Sequence, residues 1–220
     1  MGATDQSNRG NAMKLVTGLW ILLVSAMLAG GDAYAQQGPP PAAQTPPTIT
    51  STLQFQLTIV EREVESIAEE MPEDKYSFAP TNGNFAGVRT FAQQVKHVAT
   101  ANDRFFDSIL GVTAPVAPDE GVGSNGPDAI ATKAQIVQYL KDSFAKGHKA
   151  IATITADNAV TPMKDPAVPF LSTRMALAMF ACTHAMDHYG QMVEYLRDTG
   201  GTPPMSRQRP PANPPAAPKQ

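Results

Sequence analysis

A chain of 220 residues is long enough to bury a substantial core, provided its proline-rich ends are set aside first. Its formal net charge of −3, with no basic stripe interleaved with aromatics, argues against a nucleic-acid partner, which would need one to track phosphates. Cys182 is the single cysteine, so no internal disulfide forms and packing alone must hold the fold together.

The amino end reads as an export signal. Arg9 and Lys14 precede the apolar run from Leu15 to Ala29, Gly30 and Gly31 break that run, and Ala33-Tyr34-Ala35 offers the small-x-small pattern of a signal peptidase site. Residues 1–35 are expected to be removed. The run is shorter than the roughly 20 residues a spanning helix needs, so no stable membrane insertion is expected after cleavage. The mature protein is expected to be periplasmic or secreted.

Residues 36–50 and 201–220 together hold 12 of the 20 prolines. Proline lacks a backbone donor and favours extended geometry, so such segments build no core. Residues 36–50 read as a disordered tether and residues 208–220 as a disordered tail, which leaves residues 51–207 as the folded body.

Four helical stretches follow in the body. The first runs from Thr52 to Met71, with Leu53, Leu57, Val60, Val64 and Ile67 among its apolar positions and an acidic outer face. Met71-Pro72 stops it, and Tyr76 and Phe78 in the loop that follows are expected to anchor on the core. The second is predicted over 84–110, with Phe85, Val88, Phe91, Val95, Val98, Phe105, Phe106 and Ile109 buried and Gly111 as its end. Gly111 to Gly126 then reads as a long mobile connection of the kind that borders a site. The third helix is predicted over 127–155, with Pro127 in its first turn, and the fourth over 170–198, ended by Gly200 and Gly201. No stretch alternates with strand period, and the fold class is all-α, a four-helix bundle, in simple up-down order or with one crossover.

Of only four histidines, two sit four residues apart on the last helix, His184 and His188. They differ by about 40° around the axis and roughly 6 Å along it, so their rings can converge on one ion. A third, His97, lies at the edge of the second helix's apolar face. Three neutral nitrogens with an open fourth position form a recognised transition-metal arrangement. His148, between Lys146 and Lys149, is expected on a solvated face instead. Cys182 lies about 200° around the helix from His184 and is a small core residue, not a ligand. Asp187 is expected to be solvated, and Met175, Met179 and Met186 to pack the core.

Two metal chemistries are excluded. Position 185 is alanine, so the general base of a His-Glu-x-x-His peptidase is missing. Positions 94, 145, 181 and 185 are Gln, Ala, Ala and Ala, so the Glu-x-x-His pairs of a di-iron bundle are absent too.

Two segments resemble the DinB superfamily of small metal-binding four-helix bundles. One is Met71-Pro72-Glu73-Asp74-Lys75-Tyr76-Ser77-Phe78-Ala79-Pro80 followed by Arg89 to Ala99; the other runs from His184 to Arg197 and closes with Pro203-Pro204-Met205-Ser206-Arg207. The resemblance implies a bundle with a long crossover and one divalent ion, nickel or zinc, held at positions matching His97, His184 and His188. Characterised relatives include thiol-dependent transferases and isomerases, but an export signal departs from the usual cytoplasmic members.

The leading expectation is an exported bundle binding one divalent metal, a metal-dependent transferase or hydrolase acting on a small molecule. No general base accompanies the trio in the sequence, so the reaction stays unnamed. A non-catalytic envelope protein with a structural ion, and a tethered interaction module with no metal, are the other readings. A homodimer is compatible with any of them.

Overall fold

The computed structural model describes residues 46–113 and 123–207, and among these the chain forms four long helices and no strand. They are α1 (Ile49–Glu70), α2 (Phe91–Leu110), α3 (Lys133–Ala152) and α4 (Arg174–Asp198), the four-helix bundle that the periodicity predicts. The export signal, tether residues 36–45 and the tail from residue 208 lie outside the described residues, as does 114–122 of the connection expected to be mobile. No described helix is long and apolar enough to cross a membrane.

Each of the four long helices is capped at its start by a threonine. Thr48, Thr90 and Thr132 accept from the backbone N–H three residues on, and the side chains there, Ser51, Gln93 and Gln135, accept from the cap's own N–H. Thr173 accepts from the Ala176 N–H. Each such cap satisfies amides that a helix start otherwise leaves without partners and contributes about 1 kcal/mol.

These caps correct the expected boundaries. α1 starts at Ile49 rather than Thr52, so Ile49 and Thr50 are helical and not part of a tether. α2 starts at Phe91 rather than Asn84, α3 at Lys133 rather than Pro127, and α4 at Arg174 rather than Phe170. α3 also ends earlier, at Ala152. Outside the helices, apolar side chains lose their buried face: Phe85 and Val88 are exposed, and Phe170 is 81% exposed. Met179, expected in the core, is 55% exposed, whereas Met175 and Met186 pack against the core in part.

The core takes Val60, Val64 and Ile67 from α1, Val95, Phe105 and Phe106 from α2, Leu140 and Phe144 from α3, and Leu177, Ala181 and Met192 from α4. Burying one of the larger of these side chains contributes roughly 1.5–3 kcal/mol. Tyr76 and Phe78 anchor the loop before α2 as expected: Tyr76 is buried and donates to the Ala68 carbonyl at 2.6 Å, and Phe78 packs edge-on against Tyr195.

Cross-helix partners give the topology. Gln54 near the start of α1 meets His148 near the end of α3, while Glu69 near the end of α1 meets Lys141, so α1 and α3 are antiparallel. Thr100 with Tyr139, Asn102 with Ser143 and Asp107 with Lys146 advance together, so α2 and α3 are parallel. Gln94 with Gln191, His97 with His184 and Phe105 with Phe180 run oppositely, so α2 and α4 are antiparallel. α2 and α3 are also direct neighbours, whereas α1 and α2 stand diagonally apart. A parallel adjacent pair needs a connection that returns along the bundle, which makes residues 111–132 the crossover.

Candidate metal centre

His97 comes from the middle of α2 and His184 and His188 from successive turns of α4. Because α2 and α4 are antiparallel neighbours, the three rings meet between them. Their centroids form a nearly equilateral triangle of 5.1, 4.6 and 4.7 Å, and one nitrogen of each lies within 4.8 Å of the others. His97 Nε2 and His184 Nε2 are 3.2 Å apart. Two imidazole nitrogens at about 2.0–2.1 Å from a shared ion stand roughly 3 Å from each other, so the cluster can hold a metal.

The tautomers are set from outside the cluster. His97 Nδ1 lies 2.6 Å from the Ser124 carbonyl, which can only accept, so the proton is on Nδ1 and the Nε2 lone pair faces inward. His188 Nδ1 lies 2.6 Å from Gln94 Oε1, with the same result. Gln94 Nε2 donates to Gln191 Oε1 at 2.8 Å, and Gln191 Nε2 donates to Asp187 Oδ2 at 3.2 Å. A carboxylate therefore acts on His188 through two amides in series, the outer-shell support that orients metal-binding imidazoles. Asp187 itself is exposed, as expected.

His184 is held differently. Its Nδ1 is buried with no hydrogen-bond partner among the described residues, and its ring instead packs edge-on against Phe105 and is tilted against Phe180, at centroid distances of 5.6 and 5.9 Å. Two of the three imidazoles are oriented by hydrogen bonds and the third by aromatic packing.

All three are biased toward the neutral form that ligation requires. Burial, followed by the neighbouring imidazoles, pulls His188 down to about 3; burial and the charge of His97 pull His184 down to about 4. Burial also lowers His97, against the opposing effect of its bond to Ser124. The Arg89 guanidinium lowers each of them further.

Ser124 reaches His97 because the end of the crossover is pressed onto α2. At Gly126 the backbone is left-handed, with φ +78°, and a Cβ there would stand 2.7 Å from Lys96 Cβ and 3.0 Å from Thr100 Oγ1. Buried Lys96 secures the same segment by donating to the Pro127 carbonyl at 2.9 Å. Arg89 adds bonds to Asn125 Oδ1 and the Gly123 carbonyl. Beside this segment a cleft of about 450 Å³ opens between Arg89, Gln93, Gln94, Asn125 and Gln191.

His148 lies apart from the trio and is not simply solvated. It is half-buried and bonded to Glu61 Oε2 at 2.8 Å and to Gln54, which ties α3 to α1. Its cationic neighbours Lys146 and Lys149 pointed to a solvated face, yet the ring turns inward to α1. Cys182 is buried, its thiol pushed up to about 11 by burial, so it is a core residue and no thiolate ligand. Sequence reasoning missed Gln94, Gln191 and Ser124. For the two glutamines a signal existed: Gln94 stands three residues before His97 and Gln191 three after His188, one helical turn from a ligand candidate in each case.

Residues 56–192 match the family model of the DinB superfamily. The chain is similar in structure to a conserved protein from Enterococcus faecalis, with 15% identity, a TM-score of 0.54, and 69% of this chain and 97% of that one covered. It is similar also to a DinB-like protein from Bacillus cereus, with 17% identity, a TM-score of 0.54, and 71% and 96% covered. Comparison with curated proteins gives no match. At these identities the structural likeness speaks for the fold alone.

Proposed function

The chain belongs to the DinB superfamily, and we propose that it is an exported member in which His97, His184 and His188 hold one divalent metal ion, nickel or zinc. The observation that carries this reading is the convergence of three neutral imidazoles, two of them with Nδ1 protonated by outside acceptors, on one point between α2 and α4. An all-nitrogen set suits a borderline transition ion and not magnesium or calcium, which take oxygen ligands. Export is supported by the apolar run from Leu15 to Ala29 and the Ala33-Tyr34-Ala35 site.

Such an ion, with three protein ligands, would supply a Lewis acid to a small-molecule substrate, as a metal-dependent transferase or hydrolase requires. The chain's own contribution is to orient the ligands, to keep them unprotonated, and to offer a polar cleft bordered by Gln94, which also bonds to His188. Among the described residues, no carboxylate or further imidazole joins the trio as a ready general base, and His97 and His188 are buried. That pair of facts favours a second reading, in which the ion is a non-catalytic staple between α2 and α4.

Metal content by mass spectrometry on the purified mature protein tests the proposal. Near one equivalent is expected in the wild type and little in a His184→Ala, His188→Ala variant. Equal metal in the two would remove the site.

A further inference from the structure

The cleft beside the histidines has a one-sided chemistry. Four carboxamides line it, and each of their oxygens already accepts a hydrogen bond within the protein. Gln93 Oε1 accepts from the Thr90 N–H, Gln94 Oε1 from His188, Gln191 Oε1 from Gln94, and Asn125 Oδ1 from Arg89 Nε. What the four amides have left over is N–H: two each on Gln93 and Asn125, one each on Gln94 and Gln191. Arg89 engages two of its five donors, on Asn125 and the Gly123 carbonyl, and no carboxylate among the described residues pairs with it. Among the described residues, no acidic side chain lines the cleft.

A half-enclosed space lined by amide donors and one fixed positive charge, with each side-chain amide oxygen already engaged, is matched to a ligand that is all acceptor. The charge count narrows the class. The first amides of α2 are engaged by the Phe78 and Tyr76 carbonyls and by Thr90, so the helix end offers no free N–H to a phosphate, and there is no second cation in the lining. One guanidinium with neutral amides suits a monoanionic carboxylate.

We propose that the cleft between Arg89, Gln93, Gln94, Asn125 and Gln191 is the binding subsite for the carboxylate group of a small-molecule ligand, next to the three-histidine centre. The subsite rests on the metal-centre reading only in placing the bound carboxylate beside an ion; the donors that bind it are the protein's own. Gln94 links the two places, since the amide that borders the cleft also accepts from His188.

The test uses propionate and its neutral isostere propionamide, titrated into the mature protein with metal loaded and with metal removed by chelation, and followed by calorimetry and ligand-observed NMR. Saturable propionate binding is expected, at least tenfold tighter than propionamide. Arg89→Gln should weaken propionate at least tenfold, but its side chain also holds the crossover. Gln93→Glu is therefore the sharper variant. Glutamate at that position preserves the capping box of α2 while adding a negative charge to the cleft, so it should abolish propionate binding with an unchanged or raised melting temperature. Propionate binding unchanged in Gln93→Glu, equal affinity for propionamide, or no saturable binding would each overturn the subsite. Metal content recorded on the metal-loaded samples separates the two readings: propionate binding by a protein that takes up no metal on loading removes the metal centre and leaves the subsite, and bound metal without propionate binding does the reverse.

Discussion

Gln94 on α2 and His188 on α4 meet at 2.6 Å, Oε1 to Nδ1, so the two helices that bring the histidines together are joined by a bond that also decides which nitrogen of His188 faces the cluster. The glutamine is 2% exposed, and nothing else among the described residues bonds to His188 Nδ1. Its second amide atom continues to Gln191 and, through it, to Asp187.

Removing that acceptor should loosen the metal without unfolding the bundle. Gln94→Leu keeps the volume and deletes the bond, and partners of this kind are worth roughly 10–100-fold in metal affinity. Competition with a chromophoric chelator measures it. Asp187→Asn, at the far end of the relay, should change affinity by much less; an Asp187 effect as large as that of Gln94 would mean that the relay is not what orients His188.

The crossover should matter through Gly126 and not through Gly123. A Cβ at residue 126 meets Lys96 and Thr100 and strains a left-handed backbone, whereas one at residue 123 meets nothing within 4 Å. Gly126→Ala is expected to move the Ser124 carbonyl off His97, lowering metal affinity and melting temperature together, by about 1–3 kcal/mol in stability. Gly123→Ala is expected to leave both near wild type, as read by chelator competition and thermal denaturation.

The helices and the histidine trio were legible for one physical reason: both follow from the 3.6-residue period, which puts Val60, Val64 and Ile67 on one face and His184 and His188 on another. The helix starts were less so, because apolar residues were followed outward past the caps. Phe85 and Phe170 extend the apolar pattern yet lie in loops, while Thr90-x-x-Gln93 and Thr132-x-x-Gln135 mark the true starts of α2 and α3 in the plain sequence. Ser124 was not legible at all. It acts through its backbone carbonyl, which every residue carries, and only the parallel placement of α2 and α3 lays the crossover over His97. His148 misled because charged neighbours along a helix point elsewhere, leaving its ring free to meet Glu61 across the α1–α3 contact.

The metal-free protein should lose stability in mild acid. His184 and His188 titrate near 4 and 3 when folded, against about 6.5 when unfolded. Their folded pKa values are depressed, so the stability linked to them is complete above about pH 6.5 and is lost as the pH falls toward 3. Chelator-treated wild type should therefore show a melting temperature that drops more steeply from pH 7 to 4 than that of a His184→Gln, His188→Gln variant. Parallel slopes in differential scanning fluorimetry would mean that the two imidazoles are not held neutral by the fold.

X-ray absorption at the metal edge of the purified protein bears most directly on the three-histidine centre. The predicted first shell contains three imidazole nitrogens at about 2.0–2.1 Å, with the outer-ring scattering typical of histidine and no sulfur at about 2.3 Å. A shell with sulfur from Cys182, with one imidazole or none, or a protein that carries no metal after purification without chelators, would contradict it.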